Sequence, residues 1–398
     1  MTDPTAPPSP YVVRVLGAEL RRQVAEFPVV TILGPRQAGK TTLARHELPG
    51  FAYVSLETPQ VRQLAMADPL AFLNQHPEPV ILDEIQRVPE LLSHIQGRVD
   101  AHGGVGRYVL TGSHQLALHG AVAQSLAGRT GILTLLPLSM AELAPAGLLT
   151  GDWCETALRG FLPRVLCQPQ RPVTAYGSYL RTYVERDVRQ LIMLKDLLLF
   201  EKFLKLLAGR VGQLVDYASL GNDVGVDAKT IRHWISILEA SFVVLRLPPY
   251  FENFGKRMVK TPKLYFADTG LLCSLLGIET ADQLRRDPLV GQVFENLVVL
   301  ECWKARLNQA RDPELYFLRD RHGQEIDLIH RRGRDLWGLE IKSAQTWHPS
   351  FRKHLDAFHA QVAPLARRAV VYAGENLTMS DGLRVVGPAD IDTLFTAP

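Results

Sequence analysis

The segment that most constrains how this chain of 398 residues can fold is a glycine-rich octapeptide, residues 34–41 (Gly34, Pro35, Arg36, Gln37, Ala38, Gly39, Lys40 and Thr41). It matches the phosphate-loop pattern G-x-x-x-x-G-K-[ST]. An apolar, β-rich run at 29–33 precedes it, and a helical stretch at 41–48 follows it. Glycines in such a loop let backbone N–H groups face phosphate oxygens, and the start of the helix adds positive potential. The sequence therefore predicts a phosphate-binding loop between a buried strand and a helix.

The octapeptide and Thr42 form the predicted cofactor-binding set, and the expected cofactors are ATP and Mg²⁺. Lys40 is expected to reach the β- and γ-phosphates, and the Thr41 hydroxyl is expected to ligate the metal. A second apolar run, 80–82, ends in two carboxylates. Asp83 is placed to hold Mg²⁺ through water, and Glu84 is the natural general base for the attacking water.

Two further residues are candidates for catalysis. Ser113 follows the apolar run at 107–110 and is placed to present a hydroxyl beside the γ-phosphate, although a plain turn at a strand end explains it as well. Arg129 is a candidate for stabilising transition-state charge, in cis or from a neighbouring subunit. A structural salt bridge is the alternative for Arg129, and both questions stay open at this point.

Short apolar runs alternate with helical stretches in the first part of the chain, at 29–33, 52–56, 80–82 and 107–110. This alternation favours a parallel sheet covered on both faces. The predicted fold class is α/β, with a P-loop NTPase sheet followed by a helical winged-helix domain and a small α/β domain. The predicted domain bounds are a disordered tail at 1–10, the P-loop domain at 11–150, the helical domain at 151–272 and the last domain at 273–398.

The middle of the chain carries the pattern of a winged helix-turn-helix, in the order helix 217–224, turn 225–227, helix 228–240 and strand 242–247. Basic residues near the start of the second helix and in the expected wing are candidates for DNA contacts. These candidates are Lys229, Arg232, His233, Lys256 and Arg257. The competing interpretation is a solvated, charged face on a helical bundle that docks on the P-loop domain or contacts another protein.

Several segments resemble prokaryotic AAA-type ATPases that carry a C-terminal domain of unknown function. Besides the phosphate loop, the matching segments are Leu-Asp-Glu-Ile-Gln-Arg-Val-Pro at 82–89, together with 183–188, 262–271 and 291–296. The resemblance spans nearly the whole chain. It implies ATPase chemistry, subunit contacts around the nucleotide in a homo-oligomer, and three domains that function together.

The last part of the chain contains an Asp…Glu-x-Lys pattern on two expected strands, formed by Asp327, Glu340 and Lys342. With Glu295 on a preceding helix, it looks like a PD-(D/E)XK nuclease core. Asp327 and Glu340 are placed to share a divalent metal, Glu295 to support it, and Lys342 to orient water. The alternative is a chance pattern, or charges kept for reasons of surface solvation.

Composition excludes a disordered chain, a collagen-like repeat and a multi-span membrane protein. The chain is 46% hydrophobic and 21% charged, with four widely spaced cysteines and a net charge of +3, which predicts a globular, cytoplasmic protein with no membrane contact. The preferred function is a Mg²⁺-dependent ATPase that acts on DNA. The alternatives are a nucleotide-controlled switch that gates a protein partner and an ATP-gated, metal-dependent nuclease.

Overall fold

The amino-terminal unit is built around a five-stranded parallel sheet. The computed structural model of the chain describes residues 11–113, 125–168, 170–183, 197–250, 261–319 and 325–395. The strands are β1 (Val29–Leu33), β2 (Ala52–Ser55), β3 (Val80–Asp83), β4 (Tyr108–Gly112) and β5 (Thr130–Thr134), in the order β2-β3-β4-β1-β5. The predicted α/β fold with a P-loop sheet is confirmed.

Helices cover both faces of this sheet. They are α1 (Leu16–Glu26), α2 (Lys40–Glu47), α3 (Pro59–Ala67), α4 (Pro69–Gln75) and α5 (Leu91–His102), with a 3₁₀ turn at Ile85–Arg87. Alternate residues of β1 enter two separate hydrophobic cores, Val29 and Leu33 in one and Val30 and Ile32 in the other. Side chains alternate between the two faces along a strand, and both faces of β1 are buried, which explains why its residues are almost all apolar.

The middle of the chain is mostly helical. Its elements are α6 (Met140–Leu143), α7 (Trp153–Arg159), α8 (Pro163–Cys167), α9 (Pro172–Tyr183), α10 (Leu197–Ala208), α11 (Tyr217–Val224), α12 (Ala228–Ala240), the antiparallel pair β6 (Val244–Leu247) and β7 (Lys263–Phe266), and α13 (Thr269–Leu276). Asp227 caps α12 by accepting a hydrogen bond from the Thr230 N–H at 2.6 Å. The apolar stripe of α12, formed by Ile231, Trp234 and Leu238, is buried.

The last part of the chain forms a six-stranded mixed sheet. Two helices, α14 (Ala281–Arg286) and α15 (Val290–Leu307), lead into β8 (Leu315–Arg319), β9 (Glu325–Arg332), β10 (Asp335–Lys342), α16 (Lys353–Gln361), β11 (Arg367–Tyr372), β12 (Leu377–Thr378) and β13 (Arg384–Val386). Strands β9 and β10 form an antiparallel hairpin, and β11 pairs with β10 in parallel after the crossover through α16.

The three parts of the chain share one hydrophobic core. A single buried cluster includes Val29 of the first sheet, Leu271 of the helical part and Val371 of the last sheet. Polar contacts join them as well, since the buried Lys304 ammonium on α15 donates to the Leu138 carbonyl at 2.7 Å. Within the described ranges, every helix is too short or too polar to span a bilayer.

Candidate functional site

The phosphate loop connects β1 to α2 at the carboxyl edge of the sheet, and its backbone requires glycine at defined positions. Gly34 has φ +150°, and a Cβ atom there would overlap the carbonyl oxygen of Leu135. Gly39 has φ +92° and is the N-cap residue of α2. Residues other than glycine rarely adopt such backbone angles, so these two glycines allow the loop to close tightly before the helix begins.

Lys40, the first residue of α2, is buried and folds back over the loop. Its Nζ donates to the carbonyl oxygens of Gly34 at 2.9 Å and Pro35 at 2.8 Å. The ammonium group therefore lies on the inside of the loop, where the pattern of the octapeptide predicts a phosphate-binding lysine.

Thr41 and Asp83, the two predicted Mg²⁺ ligands, lie in direct contact. The Thr41 hydroxyl donates to Asp83 Oδ1 at 2.7 Å, and the Tyr53 hydroxyl donates to Asp83 Oδ2 at 3.0 Å. Burial raises the pKa of Tyr53 to about 12, and the negative charge of Asp83 is the second largest cause. A hydroxyl beside one carboxylate suits Mg²⁺, which usually binds through one or two carboxylates together with substrate phosphates.

Glu84 and Ser113 also meet at the carboxyl edge of the sheet. Glu84 has φ 58°, and its N–H donates to the Thr111 hydroxyl at 3.1 Å. The Ser113 hydroxyl donates to Glu84 Oε2 at 3.2 Å. The Gln86 amide donates to the same carboxylate and to the Ser113 hydroxyl. Sequence reasoning did not assign a role to Gln86, although it lies two residues beyond the Asp-Glu pair.

Arg129 lies at the opposite edge of the sheet, so its predicted catalytic role in cis is wrong. It immediately precedes β5, and Thr130 pairs with Val29 at the start of β1, whereas the phosphate loop follows Leu33 at the end of β1. At about 3.3 Å per residue, this separation is roughly 15 Å. Arg129 forms an exposed ion pair with Asp100 on α5. A role towards the nucleotide of a neighbouring subunit stays a prediction.

A cavity of about 810 Å³ opens beside the phosphate loop, within the size range of small-ligand sites. The loop side of its lining includes Arg36, Gln37, Gly39, Lys40, Thr41, Thr42 and Glu84. The segment before α1 contributes Tyr11, Val12 and Arg14. The helical part forms the facing wall with Pro163, Arg164, Cys167, Gln168, Tyr179 and Thr182. A ligand in this cavity therefore contacts two parts of the chain at once.

Arg14 is a buried residue of this site that sequence reasoning missed. Its guanidinium donates to the Ala38 carbonyl inside the phosphate loop at 2.7 Å and to the Leu136 carbonyl at 2.7 Å. It also forms a buried ion pair with Glu142 at 3.0 Å. No sequence motif includes Arg14, and only the packing of the chain brings it to the loop.

A second charged cluster lies in the last sheet, as the sequence predicted for Asp327, Glu340 and Lys342. Lys342 Nζ contacts Asp327 Oδ2 at 3.3 Å and Glu340 Oε2 at 2.6 Å. The N–H of Ile341 donates to Asp327 Oδ2 at 2.8 Å. Burial raises the pKa of Glu340 to about 8, and the negative charge of Asp327 is the second largest cause.

Glu295 has other partners. Its Oε1 accepts hydrogen bonds from Lys263 Nζ at 3.0 Å and from the Tyr265 hydroxyl at 2.6 Å, and burial raises the pKa of Glu295. Among the described residues, no three or more His, Cys, Asp or Glu side chains form a group that could hold a metal ion. The structure therefore does not show Glu295, Asp327 and Glu340 as a metal-binding group, and lysine ammonium groups contact each of these carboxylates.

The predicted DNA-contacting residues of α12 lie on its exposed face. Lys229, Arg232 and His233 are all exposed. The Arg232 guanidinium stacks over the Tyr217 ring, 4.6 Å from its centroid. Lys256 and Arg257, the expected wing residues, lie outside the described residues.

Three stretches of the chain match known domain families. Residues 26–144 match an AAA domain, residues 150–282 match a domain of unknown function (DUF8612), and residues 290–390 match another (DUF4143). An uncharacterized protein of Mycobacterium tuberculosis (strain ATCC 25618 / H37Rv) is 34% identical over 382 residues, which are 95% of this chain and 83% of that protein. The chain belongs to this AAA-domain family. Its first domain is thus an AAA-type P-loop ATPase domain, and a domain of unknown function ends the chain.

Two more distant proteins are similar to this AAA-family chain. An uncharacterized protein of Haemophilus influenzae is 26% identical over 248 residues, which are 58% of each chain. Among solved structures, a Walker-type ATPase of Pyrococcus abyssi is 16% identical, with 65% of this chain and 94% of that chain covered and a TM-score of 0.40.

Proposed function

We propose that this AAA-family chain is a Mg²⁺-dependent ATPase that uses ATP turnover to act on DNA. The observation that carries the ATPase part is the Thr41–Asp83 contact of 2.7 Å beside the cavity that Lys40 and Glu84 also line. A buried ammonium, a hydroxyl, and two carboxylates at one sheet edge are the groups that phosphoryl transfer needs.

Each of these side chains has a separate task in the proposed reaction. Bound Mg²⁺ would neutralise charge on the phosphate oxygens, and Thr41 and Asp83 would hold it. Lys40 would turn its ammonium from the loop carbonyls towards the phosphates. Glu84 would accept the proton of the attacking water, while hydrogen bonds from Ser113 and Gln86 keep its carboxylate in position.

The DNA part of the proposal rests on the helical wall of the cavity and on α12. A nucleotide in the cavity would touch α8 and α9, so its hydrolysis would alter contacts between the sheet and the helical part. We propose that α12 and the β6–β7 pair act as a winged helix. The exposed side chains of Lys229, Arg232 and His233 would contact phosphates or base edges.

ATP hydrolysis by the wild type and three variants tests the ATPase part. Lys40→Ala and Glu84→Gln should each lower the rate by about 10²-fold or more, and Glu84→Gln should still bind ATP. Lys205→Ala is the matched control, because Lys205 is an exposed lysine on α10 and does not line the cavity. Wild-type rates in Lys40→Ala would refute the proposed site.

Addition of DNA tests the second part and separates it from the switch alternative. Single-stranded, duplex and branched DNA should raise the ATPase rate severalfold, and Lys229→Gln/Arg232→Gln should weaken this response without changing the rate in the absence of DNA. Slow hydrolysis that is indifferent to every DNA would favour a nucleotide-controlled switch that holds a protein partner.

The charged cluster of Asp327, Glu340 and Lys342 supports a second candidate, an ATP-gated nuclease. The supporting observation is that all three side chains meet on neighbouring strands, with Glu340 Oε1 buried and unpartnered within the described residues. Plasmid nicking with Mg²⁺ or Mn²⁺ that disappears in Asp327→Ala would favour this function. No cleavage of linear, single-stranded or branched DNA with either metal would refute it.

A further inference from the structure

One end of the last sheet carries a group of five arginines, four of them exposed and one, Arg367, half-buried, which we name the arginine edge. Its members are Arg311, Arg331, Arg332, Arg334 and Arg367. Strand β9 ends and β10 begins at this end, since Arg332 pairs with Asp335. Strand β11 begins there too, because Arg367 pairs with Trp337 of β10. The arginine edge is therefore assembled from three separate segments of the chain, the loop before β8, the β9–β10 hairpin and the start of β11.

The arginine edge is distinct from the charged cluster of Asp327 and Glu340. Those carboxylates lie near the start of β9 and the end of β10. Asp327 precedes Arg331 by four residues along β9, which is about 13 Å at the usual rise of a strand. The two groups of residues thus occupy opposite ends of the same hairpin.

Among the described residues, the arginines of this edge lack acidic partners. Within the part of the chain that the structure describes, none of the five forms an ion pair with a carboxylate. Arg332 and Arg367 instead stack on the Trp337 ring, with guanidinium carbons 5.7 Å and 4.3 Å from its centroid. Such stacking holds a guanidinium in place while its N–H groups remain free to bind a phosphate.

A second, buried row of basic side chains lies beneath the edge. Arg306 and His330 are buried, and Arg306 Nε and His330 Nε2 have no hydrogen-bond partner among the described residues. Burial lowers the pKa of Arg306, and the positive charge of Arg311 lowers it further. Burial and the charge of Arg306 lower the pKa of His330 to about 4. This end of the sheet therefore carries buried as well as exposed basic side chains, and the carboxylates that act on Arg306 are those of Glu314, at 3.8 Å, and Asp312.

We propose that the arginine edge binds the sugar–phosphate backbone of DNA. Guanidinium groups bind phosphates through paired N–H donors. A single small anion gains little from exposed cations in water, whereas a polymer with regularly spaced phosphates gains affinity by releasing its condensed counterions. Several unpaired arginines spread over one end of a sheet suit the polymer. The proposal goes beyond α12, because it gives the last domain its own DNA contact.

Fluorescence anisotropy of a labelled DNA duplex with the full chain tests this proposal. Arg331→Gln/Arg334→Gln removes two members of the edge that do not stack on Trp337, so the sheet should stay folded. If both arginines neutralise phosphates, the slope of log K against log salt should become shallower by about 1.8, at about 0.9 per phosphate. Arg331→Lys/Arg334→Lys should keep most of the wild-type slope, since it keeps both charges.

The matched control is Arg21→Gln/Arg22→Gln on α1, which changes the net charge equally at a distant surface. An equal loss of slope in the control would overturn the proposal, as would an unchanged slope in Arg331→Gln/Arg334→Gln. Displacement of the duplex by inorganic phosphate, beyond that by chloride of equal ionic strength, would overturn it in favour of a small-anion site.

The ATPase assay keeps this proposal separate from the proposed function. ATP hydrolysis without DNA should be the same in wild type and Arg331→Gln/Arg334→Gln, which shows that the variant is folded and active. If the wild type hydrolyses ATP but binds no duplex, the arginine-edge proposal fails while the ATPase proposal stands. If the duplex binds and only Lys229→Gln/Arg232→Gln weakens it, α12 is the contact and the edge is refuted.

Discussion

The substitution Arg14→Met should reveal how far the phosphate loop depends on one buried side chain. Arg14 is 5% exposed, and its guanidinium joins the loop carbonyl of Ala38 to the Leu136 carbonyl and the Glu142 carboxylate. Methionine fills most of the same volume but supplies none of these donors. The loop therefore loses a direct tether, and Glu142 stays buried without its ion-pair partner.

The expected magnitude follows from the contacts that remain. Breaking a buried ion pair by removing one partner costs about 3–5 kcal/mol. Glu142 keeps hydrogen bonds from the N–H groups of Val15 and Ser139, each at 2.8 Å. The cost should therefore lie near about 3 kcal/mol, which is more than about 100-fold in the folding equilibrium. With a denaturant slope of about 3 kcal/mol per M, the urea midpoint should fall by about 1 M.

Urea unfolding followed by circular dichroism, together with ATP binding by calorimetry, measures both effects. Arg21→Met is the matched control, because Arg21 pairs with Glu47 while its own side chain is 58% exposed. Exposed pairs contribute less than about 1 kcal/mol, so this control should hardly move the midpoint. Arg14→Met should also weaken ATP binding. Equal midpoints for the two variants, or unchanged ATP affinity in Arg14→Met, would refute the reasoning.

Three further predictions concern single residues. Gly34→Ala should abolish ATP binding by calorimetry, because its Cβ would overlap a backbone carbonyl at φ +150°, while Gly50→Ala, with open space around it, should bind normally. Burial raises the pKa of Glu340 to about 8 in the folded chain. The protonated carboxyl group therefore stabilises the fold fully at pH values below 4.5, its usual pKa, and this stabilisation is lost as the pH rises through about 8. Glu340→Gln should remove this loss from thermal unfolding curves measured across that range. Lys304→Met should destabilise the chain by about 3 kcal/mol in urea, because it leaves Glu301 buried without its ammonium partner at 2.7 Å. A change below about 1 kcal/mol would contradict the assigned burial cost.

Local sequence signals predicted the strands and helices around the phosphate loop closely. The run at 29–33 is β1, and the helix expected at 41–48 is α2 (Lys40–Glu47). Both predictions succeed because a short apolar run, a glycine turn and a helical stretch are encoded by neighbouring residues. The meeting of Thr41 with Asp83 was also predictable, since the carboxyl ends of parallel strands share one edge of a sheet.

The role of Arg129 could not be predicted locally, because it depends on which end of β5 reaches the phosphate loop. The sequence showed a basic residue well after the fourth apolar run, but neither the strand β5 that follows Arg129 nor the register that pairs Thr130 with the start of β1. The nuclease-like set shows the same limit. Strand patterns placed Asp327 beside Glu340, whereas only packing showed that Lys263 and Tyr265 bind Glu295.

The sequence by itself therefore determined the phosphate loop, the carboxylates at the end of β3 and the alternation of strands and helices around them, because these depend on residues close together in the chain. The tertiary structure decided what surrounds them. Arg14 reaches Leu136 and Glu142 across 122 and 128 residues of sequence, and Arg164 enters the cavity from the helical part. Such contacts form only when separate elements pack together and leave buried polar groups that must find partners. No local pattern of residues specifies those partners.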